Sequence, residues 1–412
     1  MSDRLKKILL VAGFVLVAIG MVVAVYFIFF RGAQKIAVNS NKNVNGLPTV
    51  NNGNSSVTNG SITNLPTTST NTTNTQPSHQ ADGGSTLVDT IVGGNAGSIT
   101  SSGNGLQYYD QTTGSFYLIS PDGTSRTLMT DAKYPSVQDI AWSQDGKQAI
   151  LTFPDNSKVA YNFTTKKQTT LASELNTFSF SPNGNSLVSK YLDANDKSNQ
   201  WLIVSKNDGT APQSVEQLGE NADSVIPAWS PNNQVVATYE SSVNGDQSQI
   251  IFLGQNGENF PSVNVEGRGY TPVWSPDGTK ILYSTYSSAT NDNPHLYIMN
   301  GSVDSLGQNI IDLGLDTRAD KCTFSQNGYT IYCAVPYYMN PGSGPQPDLS
   351  AGIPDNIYEI NLVKGSSTLI ARPVDSNGTQ RFSIGALRLA PDESSLFFID
   401  QQTGAVERVQ LH

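Results

Sequence analysis

Three histidines, two cysteines and a surplus of carboxylates are the residues of this 412-residue chain that could do chemistry. The histidines do not gather. His79 lies in an Asn/Thr/Ser-rich stretch, His412 is the last residue, and His295 opens an apolar run. One imidazole in a folded region cannot build a site that needs several. The chain has no G-x-S-x-G, no H-E-x-x-H and no G-x-x-x-x-G-K, the patterns that expose a serine nucleophile, pair zinc ligands or wrap a phosphate. Cys322 and Cys333 are too few for a disulfide scaffold or a four-cysteine zinc site. Carboxylates are plentiful, so a hydrolase or lyase working through an Asp/Glu pair is the enzyme chemistry left open. The segment 193–200, DANDKSNQ, has the oxygen-rich look of a calcium loop but lacks the glycine and distal glutamate of an EF-hand. No metal and no cofactor is expected.

Charge narrows the partners. The chain carries 24 basic and 34 acidic residues. Six of the basic residues (Arg4, Lys6, Lys7, Arg31, Lys35, Lys42) and one acidic residue (Asp3) precede Asn43, which leaves 18 basic against 33 acidic, a net −15, from there on. A domain that acidic repels a phosphate backbone, so nucleic acid is not expected as a partner.

The elements that position these residues begin with an anchor. Ile8 to Phe30 is 23 residues without a charge. As a helix it would span about 34 Å, enough for a hydrocarbon core of about 30 Å. It is longer than the apolar part of a secretory signal and ends in Phe27, Ile28, Phe29 and Phe30 rather than small residues. The expectation is an uncleaved transmembrane signal anchor at 8–30, a cytoplasmic tail at 1–7 set by Arg4, Lys6 and Lys7, and an extracytoplasmic remainder. Residues 31–85 form an Asn/Thr/Ser-rich linker without aromatic residues from Asn39 on. It has too little apolar surface to offset the entropy of ordering, and is expected to be a disordered spacer.

From residue 86 to 412 one phrase recurs: a short apolar strand ending in an aromatic, then Ser, then Pro/Gln–Asp/Asn–Gly, then another apolar strand. Clear copies are AWSQDGKQAIL from Ala141, SFSPNGNSLVS from Ser179, AWSPNNQVVAT from Ala228, VWSPDGTKILY from Val273 and TFSQNGYTIYC from Thr323. A degenerate copy, RLAPDESSLFF, starts at Arg388 and a faint one, SITSSGNGLQYYD, at Ser98. Anchored on Thr100, Trp142, Phe180, Trp229, Trp274, Phe324 and Leu389, the intervals are 42, 38, 49, 45, 50 and 65 residues. Pro presets φ in the turn, Asp or Asn bonds the local backbone, and Gly supplies the left-handed residue. Asp145 and Gly146, Asn183 and Gly184, Asp277 and Gly278, and Asn327 and Gly328 are read as these structural turns. Recurrence at one turn position makes Asp145, Asp277 and Asp392 hairpin caps rather than metal ligands. Third strands follow, such as 201–205, 249–253, 295–299 and 356–360. Four short strands every 40–50 residues make a β-propeller blade.

The W-S-P-D-G phrase resembles the WD40-like propeller repeat of the TolB type, and is also similar to the propellers that precede prolyl-oligopeptidase domains. It covers 86–412, with departures at Gln144 and Gln326 (Pro in the pattern), Asn233 (Gly), Ala390 and Glu393. The resemblance implies an all-β propeller and, in the manner of TolB, a part in an envelope complex. The fold itself hosts unrelated activities. The sugar-cleaving propellers that hold a metal through several histidines cannot be copied with one.

Strand accounting gives the blade number. The last copy supplies three strands before the chain ends, and 86–92 (TLVDTIV) is an orphan strand that could fill the missing outer position. That makes seven blades, with six as the alternative if the faint first copy is not a blade. Tight turns then fall on one face. The long loops 193–200, 241–248, 287–294 and 336–354, with the blade connection 372–384, fall on the other. Loops carry most binding residues, so Tyr337, Tyr338, Tyr286, Asp193, Asp196, Asp292 and Arg372 are the candidate binding residues. Cys322 and Cys333 face each other if the Asn327-Gly328 loop has two residues, and a disulfide is then within reach. With a three-residue loop Cys322 faces Tyr332 instead. The functional expectation is a membrane-anchored scaffold or recognition module for a protein or glycan. The alternatives are a carbohydrate-active hydrolase or lyase with paired carboxylates around the central channel, and a structural subunit of an envelope complex.

Overall fold

The repeated phrase folds as a hairpin turn held from inside. Ser143, Ser181, Ser230, Ser275 and Ser325 are all buried. Each hydroxyl donates to the Asp or Asn two residues on, at 2.6–2.9 Å. In four of the five it also accepts the amide of the residue five positions ahead. The carboxylates of Asp145 and Asp277 cap the amides of Lys147 and Thr279, and Asp392 caps Ser394. Gly146, Gly184, Gly278 and Gly328 take φ of 67–70°.

The computed structural model describes residues 76–258 and 260–411. The expected tail, anchor and most of the linker lie outside the described residues. Seven antiparallel sheets follow one another along the chain. Their innermost strands are Ala96–Ser102, Asp139–Trp142, Leu175–Phe180, Val225–Pro227, Arg268–Trp274, Cys322–Phe324 and Arg388–Leu389, in blades one to seven. The faint first copy is therefore a true blade. The buried apolar residues form seven clusters, one between each pair of neighbouring blades. The cluster of Ile99, Leu106, Phe397 and Val406 joins blade seven to blade one and closes the ring. The core is thus distributed between the sheets, and the inner strands border a central channel.

The orphan strand does more than fill one gap. Asp89–Val92 pairs antiparallel with Val406–Gln410 as the outer strand of blade seven. Ser85–Leu87 pairs parallel with 372–374 as a fifth strand of blade six. The strap starts earlier still, since the Ala81 amide donates to Gln410 O and the Gly83 amide to Ile370 O. Backbone pairing to a sheet edge needs no apolar side chains, so composition alone does not reveal it. Arg408 on the last strand bonds Asp89 on the strap at 2.7 Å.

One loop differs from the sequence expectation. Residues 241–248 form no long loop. Val235–Asn244 and Gln247–Gly254 continue as a paired hairpin to a tight turn at Gly245-Asp246. The turn is a two-residue one centred on Gly245 and Asp246, with Asn244 and Gln247 paired across it. Cys322 and Cys333 sit directly opposite in the inner hairpin of blade six and are joined by a disulfide.

Candidate functional site: the long-loop face

The loops of blades four, five and six are tied to one another by backbone groups. Asp246, at the tip of the blade-four hairpin, accepts the Ser288 amide at 2.8 Å and the Ser288 hydroxyl at 2.6 Å. These bonds to its charged form hold its carboxyl below the usual range. Asn291 and Asp292 follow in the left-handed conformation. Their carbonyls accept the amides of Gly342 and Gly344 from the blade-six loop at 2.9 and 2.8 Å. The Ser343 amide, buried, donates to Asn293 Oδ1 at 3.2 Å. On the far side, Gln402 of blade seven donates to Gly352 O at 2.9 Å. A long loop that finds backbone partners in its neighbours meets the hydrogen-bonding requirement of buried backbone without forming a sheet.

Tyr286 is the pillar of this arrangement. A Cβ on Gly344 would lie 2.4 Å from its Cγ, so only glycine lets the blade-six loop settle on the ring. The Arg268 guanidinium lies 5.4 Å from the ring centroid and 3.6 Å from the Asp292 carboxylate. Tyr286 and Asp292 thus hold the loops together. Tyr337 and Tyr338 are different: they are 57% and 58% exposed at the start of the blade-six loop, whose Tyr337 amide is fixed to Pro354 O.

The remaining expected residues lie elsewhere. Asp193 and Asp196, on blade three, are bent back on their own loop. Asp193 accepts the amides of Asn195 and Asp196 and the Asn199 side chain, and these bonds lower its pKa. Asp196 accepts the Ser198 amide and hydroxyl. Both act as turn caps. Arg372 belongs to the outer strand of blade six, Ser366–Val374, and not to the connection that follows. Its amide donates to Gly84 O under the strap.

Other charged groups on this face were not marked by sequence reasoning. Asp355 is fully buried and accepts Lys321 Nζ and the Ile384 amide, both at 2.6 Å. Burial raises its pKa, with the Lys321 charge opposing. His295 sits between two carboxylates, Nε2 to Asp312 at 2.6 Å and Nδ1 to Asp316 at 2.5 Å. Burial pulls the imidazole down, but the bonds to Asp316 and Asp312 outweigh it and its pKa is raised. No spacing rule marks these groups in the sequence, because each pair is made across strands or loops.

Glu407, buried near Asp400 and Asp89, has its pKa raised by burial and by those charges, and its Oε2 has no hydrogen-bond partner among the described residues. Two other carboxylate pairs are engaged by cations. Asp312 and Asp316 have an imidazole between them. Asp375 and Asp400 share Arg381 at 3.5 and 3.6 Å, with Asp400 fully buried.

No family model matches the chain, and no curated protein matches its sequence. Solved structures do match in fold. An oligogalacturonate lyase in complex with manganese is similar over 79% of this chain and 93% of its own, at 13% identity and a TM-score of 0.53. A β-propeller domain from Myceliophteria thermophila is similar over 79% and 100%, at 11% and 0.53. An oligogalacturonate lyase from Vibrio parahaemolyticus is similar over 78% and 93%, at 10% and 0.51. At such identities the likeness is one of fold, and the chain is a seven-bladed β-propeller.

Proposed function

We propose that this chain is a membrane-anchored, extracytoplasmic recognition and scaffold module that binds a protein or a glycan on its long-loop face. The observation that carries the reading is the interlocked platform of blades four to seven, which presents Tyr337 and Tyr338 to solvent on a backbone fixed by its neighbours. Rigid, exposed aromatics are the usual anchors of a binding surface, because they contribute large contact area with little entropy lost. The engagement of Asp312 and Asp316 by His295, and of Asp375 and Asp400 by Arg381, favours binding over a hydrolase built on either of those pairs. The disulfide between Cys322 and Cys333 supports an oxidising compartment. The apolar run 8–30 supplies the anchor and the linker after it the reach. In this reading the resemblance to TolB-type repeats points to an envelope assembly as the setting.

The test is capture from crosslinked native membranes with the full chain as bait, beside a Tyr337→Ala/Tyr338→Ala double variant and a chain lacking 338–352. Partners held by the intact chain and lost from both variants are the expected result. Partners retained by the double variant would remove these tyrosines from the binding surface. An intact chain that captures nothing would count against a scaffold role and bring the carbohydrate-active reading forward.

A further inference from the structure

One position is shared by five inner strands and by the stretch just after the inner strand of blade four: that of the residues immediately before Trp142, Phe180, Trp229, Trp274, Phe324 and Leu389. These residues are Ala141, Ser179, Ala228, Val273, Thr323 and Arg388. Five stand in one register, opposite Ile150, Val188, Leu282, Tyr332 and Phe397, and the Ala228 amide bonds Val236 O in the same way. All six are partly accessible while those partners are buried, as expected for a ring that borders the central channel. Five members are small or short and neutral. The sixth is a long cation.

The surroundings of Arg388 do not neutralise it. Its Nη1 donates to the carbonyl of Leu387 at 2.8 Å. Among the described residues no carboxylate lies within ion-pair distance of its guanidinium. Asp320, whose charge reaches it, is held in a fork by Arg318 at 2.8–3.1 Å. The neighbouring Lys321 is matched by Asp355 at 2.6 Å. Arg318 and Lys321 each have a carboxylate, and among the described residues Arg388 has none within ion-pair distance. A partly accessible guanidinium with no carboxylate partner is open to a ligand, and arginine keeps its charge because it cannot lose its proton. What a guanidinium does well is take two oxygens of one oxyanion through its planar fork.

We propose that the central channel is an anion-binding site in which Arg388 anchors a ligand bearing a carboxylate or a phosphate. The domain around it is strongly acidic, so the channel is a local positive exception that selects by short-range hydrogen bonding rather than by long-range attraction. The site is separate from the tyrosine platform, and either can fail without the other.

The experiment is calorimetric titration of the full chain in detergent with acetate, glucuronate and inorganic phosphate, at constant ionic strength. Arg388→Gln, Arg388→Met and, as a remote control on the tight-turn face, Lys364→Gln are compared. The proposal expects one-to-one binding of at least one probe, weakened about tenfold or more in both Arg388 variants and unchanged in the control. It also expects both Arg388 variants to melt no lower than the parent, since Arg388 has no carboxylate partner to lose. A preference for acetate and glucuronate would assign a carboxylate ligand, and a preference for phosphate would assign a phosphate. The proposal is overturned if no probe saturates the parent chain, if the Arg388 variants bind as it does, or if both melt lower, which would make Arg388 a structural residue.

Discussion

The two faces of the propeller use the same backbone differently. On the tight-turn face each hairpin closes on itself, and the serine of the phrase sits inside the turn as donor and acceptor. On the long-loop face several loops also close locally, but the long loops of blades five and six lean on neighbouring blades from four to seven. Order on the first face is local and repeated. Order on the second is made once, between particular residues of different blades. The first arrangement is suited to holding strand register. The second leaves side chains such as Tyr337 and Tyr338 free of structural duty. Substitutions should therefore weigh very differently on the two faces.

The largest effect is expected on the turn face at Gly278. Its φ is +70° and a Cβ there would lie 2.7 Å from the backbone nitrogen of Asn232 in the next blade. Gly278→Ala adds left-handed strain to a backbone clash and should destabilise the domain by about 2 kcal/mol or more, read as a lower midpoint in urea. The equivalent residue of blade four, Asn233, has φ +60° without such a neighbour, and its Oδ1 accepts Trp229 Nε1 at 2.8 Å. Restoring the repeat there, Asn233→Gly, should cost about 1 kcal/mol through the lost indole partner. If Gly278→Ala is silent, the turn face does not set the register.

Two further departures from the repeat are partners. Gln326 stands where the pattern has Pro, and its amide, which proline lacks, donates to Glu393 Oε1 at 2.7 Å. Glu393 is itself the residue that replaces Gly in the last copy, and the Gln326 side chain reaches Pro391 O at 2.6 Å. Taken singly the two look like decay of a repeat. Together they join the turn of blade six to that of blade seven. This is the general limit of what could be read from the chain. The phrase, its spacing and the strand count make seven blades legible, because each copy states its own local order. The lattice linking Asp246, Ser288, Asn291, Asp292, Gly342 and Gly344 was not legible, because three of its four links run through backbone amides or carbonyls, which any residue carries. Arg388 was visible as the one charged member of its aligned column, but only the closed ring shows that the column borders a channel.

A smaller effect is expected where the long-loop face borders the blade-five strands, at His295. Its pKa is raised in the folded chain, so its contribution to stability is fully present below the unfolded value near 6.5 and is lost as pH rises through the folded value. Both carboxylates are more than half exposed, so solvent screening keeps the contribution to about 1 kcal/mol or less. The difference in unfolding midpoint between the parent and His295→Gln should shrink as pH rises from 5.5 to about 8.5. A difference that stays constant or grows over that range would mean the two carboxylates do not hold the imidazolium.

The smallest effect on stability is expected at the most exposed aromatics. Tyr337 and Tyr338 have more than half of their surface in water, and no hydrogen bond of either phenol holds the loop. The loop is held instead by the Tyr337 amide and by Gly342, Ser343 and Gly344, which side-chain truncation leaves intact. Tyr337→Ala/Tyr338→Ala should therefore move the unfolding midpoint by no more than about 0.5 kcal/mol in free energy. Amide exchange at Gly342 and Gly344 should also stay as slow as in the parent chain. If the double variant instead speeds exchange at those glycines, the tyrosines are part of what orders the loops. The contrast between a self-supporting turn face and a platform with residues to spare would then be lost.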